Sequence, residues 1–252
     1  GFVRCGNPGY DTGFLEVSED GVYSGFEVDL CKSIAAAALG DPAAIEIVDT
    51  TWGARWSDLV EGKFDVMLSR TTHTAERDIF QSNAKTGFSF SRIPAFFDGV
   101  RYAGLPQYAV CADKLDVESP DCIDLRICVL GGTTWHDVTE RLFPDSAVVL
   151  VDSLEAEVHG LEAGLCNVIV GVVNFVNEVS VRALGFTGPS YAIGDNIYEK
   201  SPQSAATRQD DRVWSKFVSW VVEALVQAEE SGITQLTADS LAPTDIFGER
   251  FE

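Results

Sequence analysis

The sequence predicts an α/β fold in two lobes, each a mainly parallel sheet flanked by helices, and three observations carry that expectation. Strand-length apolar runs alternate with helix-length amphipathic stretches from Phe2 to Leu68, and again from Ile127 to Leu184. This is the rhythm of a parallel sheet with helices on its faces. Between the two series lies an aromatic, β-rich stretch, FSFSRIPAFFDGVRYAG, expected to leave the first sheet. No low-complexity linker separates the halves, so two crossing strands are expected to join them. Lobe 1 is then discontinuous, 1–99 plus 197–252, and lobe 2, 100–196, is inserted into it. Such an arrangement leaves a cleft between lobes, where ligands prefer to sit.

Phe2 to Gly6 reads as the first strand, running into the loop GNPGYDTGF, whose glycines and proline break any regular pattern. Tyr10 and Phe14 are aromatics on that loop; Phe14 either stacks on a ligand or plugs the core from above. After a turn at Glu19 to Gly21, Val28, Cys31, Ile34, Ala35 and Ala38 recur at helical spacing, and Gly40 closes the helix. Ile45 to Val48 make the second strand. Thr50 or Thr51 is placed to cap a helix that carries Trp56, Leu59 and Val60 inward and ends at Gly62.

The chain is organised around the next stretch, DVMLSRTTHTAERD, Asp65 to Asp78. Phe64 to Leu68 is apolar, too short for a helix and bounded by polar residues, which reads as a buried strand. Polarity then changes abruptly. Ser69, Arg70, Thr71, Thr72, His73 and Thr74 put hydroxyls and a guanidinium past the strand's carboxyl end, where open α/β sheets keep their ligand crevices. Thr74 has Arg77 three residues on, at the start of a helix. A guanidinium is a planar fork of donors that matches a carboxylate in two parallel bonds. The competing expectation is a solvated arginine paired with Glu76 or Asp78.

In the second series, Ile127 to Leu130 is a strand followed by the turn GGTTW at Gly131 to Trp135, whose backbone N–H groups and hydroxyls suit an anion. Taken alone that signal is weak, because glycine-threonine turns are common. Ala147 to Val151 is the next strand, Leu154 to Ala163 the next helix, and CNVIVGVVNF a strand directed at the crevice. Asn177 to Leu184 is a helix, and Tyr191 to Tyr198 returns the chain. A short strand then precedes a long amphipathic helix with Trp214, Phe217, Val218, Val221, Leu225 and Val226 on one side, closed by Gly232. Ile233 starts a shorter helix, and the tail from Pro243 carries no pattern.

A net charge of −21 argues against nucleic-acid binding, which needs a basic footprint. No apolar run reaches the ~20 residues that span a bilayer. Gly1 begins directly in the first strand, so any targeting segment is expected to lie outside this sequence. Six cysteines, Cys5, Cys31, Cys111, Cys122, Cys128 and Cys166, form no CxxC and sit near no histidine at metal spacing, so no metal or other cofactor is expected. The even count suggests disulfides, although buried free thiols fit the residues equally well. The expected pairing is Cys5 with Cys31, Cys128 with Cys166, and Cys111 with Cys122.

Read in order, RCGNPG, GFEVDLCKSIAAAALGD, DVMLSRTTHTAERD, FFDG, ICVLGGTT, AGLCNV and ATRQDDRVWSKFVSWVVEALVQAEESGITQ resemble the periplasmic solute-binding proteins of polar amino-acid ABC importers, in particular the general L-amino-acid-binding branch. The likeness covers nearly the whole chain. It implies a type II periplasmic-binding-protein fold that closes on one amino acid and presents it to an ABC permease, as a monomer in the periplasm or another extracytoplasmic compartment. By the same resemblance Arg77 clamps the ligand α-carboxylate, while Thr133 and Thr134 of the GGTT turn meet that carboxylate from the second lobe. Arg70 and Thr72 fall in the stretch that holds the α-ammonium, and Trp52 falls where an apolar side chain nears the ligand.

Two positions depart from the family pattern. Val172 stands where the family strand ends in an aspartate that pairs with the α-ammonium, and truncating such a pair costs on the order of 2 to 5 kcal/mol. Asp11 stands where an aromatic or apolar residue covers the ligand; either it replaces the lost carboxylate from the other lobe, or it is a turn aspartate facing solvent. The retained Arg77 and GGTT turn favour a solute receptor. Val172 instead favours an interaction subunit that has lost its ligand. Related folds carry dehydratases, but His73, His136 and His159 are scattered and supply no evident general acid, so no catalytic residue and no enzyme activity are expected.

Overall fold

The computed structural model describes residues 1–9 and 12–238. Tyr10, Asp11 and the tail from Pro243 lie outside the described residues. The chain runs β1 (Val3–Asn7), the small hairpin β2 (Glu16–Val17) and β3 (Tyr23–Ser24), α1 (Phe26–Leu39), β4 (Ile45–Asp49), α2 (Arg55–Val60), β5 (Val66–Met67), α3 (Ala75–Ile79) and β6 (Phe88–Phe90). Next come β7 (Phe96–Gly104), α4 (Pro106–Asp113), β8 (Ile127–Leu130), α5 (Thr134–Leu142), β9 (Val148–Val151), α6 (Leu154–Glu162), β10 (Val168–Val172), α7 (Val173–Val176), α8 (Glu178–Ala183) and β11 (Ala192–Ile193). The last elements are β12 (Lys200–Gln203), β13 (Ala206–Arg208) and α9 (Arg212–Glu230).

The first sheet has the order β4-β1-β5-β13-β6, parallel from β4 to β5 and antiparallel at β13 and β6. The apolar run read as a buried strand is covered on both faces. Val66 and Leu68 pack with Val3, Cys31, Ile34 and Val218 beneath α1 and α9, while Met67 packs with Trp56, Leu59 and Phe88 on the α2 side. Alternate residues of a strand point to opposite faces, so one short run anchors both cores. The second sheet orders β11-β7-β10-β8-β9, with β12 also on β7. Here β8 is parallel to β9 and β10, and the crossing strands add antiparallel partners because they enter from the other lobe reversed. The two crossings, β7 and β12, pair with each other from Phe96↔Gln203 to Gly99↔Lys200.

All three disulfides form as expected: Cys5–Cys31 ties β1 to α1, Cys111–Cys122 closes the end of α4, and Cys128–Cys166 ties β8 to the residue group before β10. Six local expectations are corrected. Val60, the last residue of α2, is exposed rather than inward, and α2 has Ala54 at its cap while Thr51 accepts from the Ala54 N–H one turn earlier. FSF stays in the first sheet as β6, since its Phe88 fills the core under Trp56. The strand of CNVIVGVVNF stops at Val172, beyond which Val173–Val176 winds into a helical turn. On α9 Val222, not Leu225, is buried beside Val218, and from Ile233 to Ala238 the chain forms turns held by Thr234 and Thr237.

Candidate functional site

On the first-lobe side the site grows from the end of β5. Ser69 and Arg70 take left-handed conformations, φ 35 and 40, that residues with a Cβ adopt only when their surroundings hold them there. Their surroundings do: Ser69 Oγ donates to Gly6 O at 3.1 Å, and the Arg70 N–H donates to the buried Glu27 carboxylate, whose other oxygen accepts from Asn7 Nδ2 at 2.7 Å. The chain therefore turns sharply and lays Thr71 and Thr72 across the sheet's carboxyl end. Thr74 then caps α3, its hydroxyl accepting from the Arg77 N–H at 3.2 Å. This brings Arg77 back over the sheet, where Nη1 donates to Thr72 O at 2.9 Å and the guanidinium lies 5.2 Å from the Trp56 ring centre. The ion pairs with Glu76 or Asp78 do not form; Asp78 instead faces His73 Nε2 at 3.4 Å.

A second guanidinium lies beside it. Arg55, at the start of α2, is 2% exposed and sits between the rings of Trp52 and Trp56, at 4.8 and 5.4 Å. It donates to Trp52 O on its own side and, through Nη2, to Gly132 O of the other lobe at 3.2 Å.

On the second-lobe side the GGTT turn caps α5. Gly132, at φ 73, makes the left-handed step that a side chain would oppose. Thr133 Oγ1 donates to Leu130 O at 2.7 Å and accepts from the His136 N–H at 3.2 Å. Below the turn, the buried Glu157 of α6 accepts from the Leu130 N–H at 2.6 Å, where the β8–β10 pairing has ended. Trp135 stacks edge-on with Trp52 across the cleft, ring centres 6.5 Å apart, and with Phe175 behind it.

These elements close on a cavity of about 20 Å³ lined by Trp52, Arg55, Arg70, Thr71, Thr72 and Arg77 from one lobe and Thr133, Thr134, Trp135 and Val172 from the other. That is room for roughly one water, so the lobes are shut and a solute enters only when they part. Of the residues expected at the site, Arg77, Arg70, Thr72, Thr133, Thr134, Trp52 and Val172 meet here. Phe14 packs instead with Phe26 and Phe96, with Arg70 over its ring at 5.3 Å. His73 stacks on Phe90 and His136 pairs with Glu140. Thr71, one of the hydroxyls read past the end of the strand, lines the cavity as well, and the side chains of Arg55 and Trp135 are the unexpected members. Arg55 carries no readable signal, because it sits on a helix identified only by Trp56, Leu59 and Val60.

Burial sets the electrostatics. It lowers the Arg77 guanidinium to about 10, against the pull of Asp137, Glu76 and Glu199. Arg55 is lowered as well, first by burial and then by the Arg77 charge. Among the described residues no ion pair includes either arginine, and no cluster of three or more His, Cys, Asp or Glu side chains is placed to hold a metal ion. Two buried cations without a counter-ion are a cost that a bound anion would relieve.

Residues 7–93 match the sequence model of the bacterial extracellular solute-binding proteins, family 3. The general L-amino acid-binding periplasmic protein AapJ of Rhizobium johnstonii is 32% identical over 247 residues, 96% of this chain and 68% of that protein. The chain belongs to that family of solute-binding proteins. A second relative of this solute-binding protein, the glutamate/glutamine/aspartate/asparagine-binding protein BztA of Rhodobacter capsulatus, is also 32% identical, over 96% of this chain and 69% of its own. Among solved structures, an ABC transporter periplasmic binding protein from Brucella ovis with glutathione bound superposes with a TM-score of 0.78 at 28% identity, over 98% of this chain and 75% of that one. The two-lobed architecture is thus that of extracytoplasmic binding proteins. No helix among the described residues is long and apolar enough to cross a membrane.

Proposed function

We propose that this solute-binding protein captures a small carboxylate, an amino acid or a close chemical relative of one, and presents the closed form to an ABC importer. The observation that carries the reading is that Arg77 and the GGTT turn, from opposite lobes, line one cavity. In it Arg77 takes the acid group with its fork, Thr133, Thr134 and the turn amides meet the same group from the other side, and Trp52 and Trp135 wall the site. Arg70, Thr72 and Val172 complete the lining. The ligand favours the closed state by the contacts it makes only there, and the closing motion centres on the paired crossings β7 and β12. The lobe division, 1–99 plus 197–252 against 100–196, and a monomeric working form belong to the same proposal. No chemistry on the solute is part of it.

The relatives named for amino acids support this reading over that of an interaction subunit. A thermal-shift screen against amino acids, betaines and simple carboxylates tests it, because a ligand at a hundred times its Kd stabilises the native state by about 2.7 kcal/mol. A rise in melting temperature with one class of solute is expected. Flat curves throughout would favour the interaction subunit.

A further inference from the structure

We infer that the ligand carries two negatively charged groups, a small dicarboxylate in which the second acid group is read by Arg55. This rests on the cleft being the ligand site. Arg55 and Arg77 both line the cavity, and both guanidinium groups lie near the Trp56 ring, 5.4 and 5.2 Å from its centre, so one short molecule reaches both. Arg55 Nε is buried with no hydrogen-bond partner, and so is Thr71 Oγ1 on the same wall. Buried donors of a charged group are normally satisfied, and buried charges are normally paired. Arg77 meets one acid group together with the GGTT turn, which leaves the uncompensated charge of Arg55, and its unpartnered Nε–H, for a second.

A solute with a single acid group leaves one of Arg55 and Arg77 uncompensated, and a cationic solute adds positive charge to a cavity that Arg70 also lines. Val172 on the cavity wall offers no charge to a cationic group. Coulombic matching therefore orders the candidates by net charge. Burial and the Arg77 charge together already oppose ionisation of Arg55, which is the sign that an incoming anion would reverse.

The test is isothermal titration of the full chain with glutamate, its neutral isostere glutamine, glutarate and arginine. Glutamate and glutarate are expected to bind at least tenfold more tightly than glutamine, and arginine is expected not to bind. In Arg55→Met the glutamate-to-glutamine ratio should fall toward one. In Arg55→Lys, which keeps the charge and guards against a folding defect, it should stay above one. Glutamine binding as tightly as glutamate would overturn the inference and leave the solute-binding reading standing. If no carboxylate of either charge binds, both fall together.

Discussion

Arg55 donates from its first-lobe helix to the Gly132 carbonyl of the second lobe at 3.2 Å, so a single buried guanidinium spans the shut cleft. A hydrogen bond to a charged group is worth about 1.5 to 3 kcal/mol, or roughly tenfold to a hundredfold in an equilibrium. Arg55→Met is therefore expected to shift the ligand-free protein toward open forms. Small-angle scattering should report a larger radius of gyration; an unchanged profile would mean the bond does not help hold the lobes.

Arg77 depends on Thr74, whose hydroxyl caps α3 and orients the helix start. Thr74→Ala should lower stability by about 0.5 to 2 kcal/mol, the usual loss for a helix cap. Arg77→Lys keeps the charge and loses the fork, so affinity for the ligand should drop on the order of tenfold or more with little change in melting temperature. Unaltered titration isotherms for Arg77→Lys would remove this residue from the binding site.

Glu157 predicts a pH dependence. Burial pushes its carboxyl well above the ordinary glutamate range, opposed by the Leu130 and Val170 N–H groups. An unfolded glutamate ionises near about pH 4.3, while the folded one keeps its proton to higher pH. Between those two values the native state binds more protons, so this group's contribution falls as pH rises through the window. Glu157→Gln should match the natural protein near about pH 4 and exceed it near about pH 7. Glu157→Ala should cost about 1 to 3 kcal/mol more than that variant by orphaning the Leu130 N–H. Denaturant melts at both pH values decide it, and a natural protein that gains stability relative to Glu157→Gln on going to neutral pH contradicts the assignment.

The three disulfides close loops of different length, with sequence separations of 38, 26 and 11 for Cys128–Cys166, Cys5–Cys31 and Cys111–Cys122. Chain entropy then ranks them at roughly 4, 3.5 and 3 kcal/mol. Paired serine substitutions should lower the melting temperature in that order. The Cys128–Cys166 pair should stand out further, because Gly160 of α6 packs directly on it, a Cβ there coming within 2.7 Å of Cys128 Sγ. Equal losses for all three pairs would show that loop length does not govern their contribution.

Much of the architecture is legible in the sequence for local reasons. Val66, Met67 and Leu68 declare a strand buried on both faces, Thr74 and Thr133 declare helix starts, and Gly40, Gly62 and Gly232 declare stops, because each depends on residues only a few positions away. Arg77 and the GGTT turn follow from the same logic, since an exposed strand end followed by a cap is where binding groups collect.

Only the tertiary structure decided which of these groups face one another. Arg55 reads in the sequence as one more polar residue on an amphipathic helix; it becomes a cleft residue because folding brings Gly132, far along the chain, to its guanidinium. Phe14 belongs to an aromatic cluster rather than the cavity because Phe26 and Phe96 converge on it from elements far apart in sequence. Periodicity and capping are properties of neighbours along the chain, whereas the pairing of charges across a cleft depends on long-range packing that no local pattern encodes.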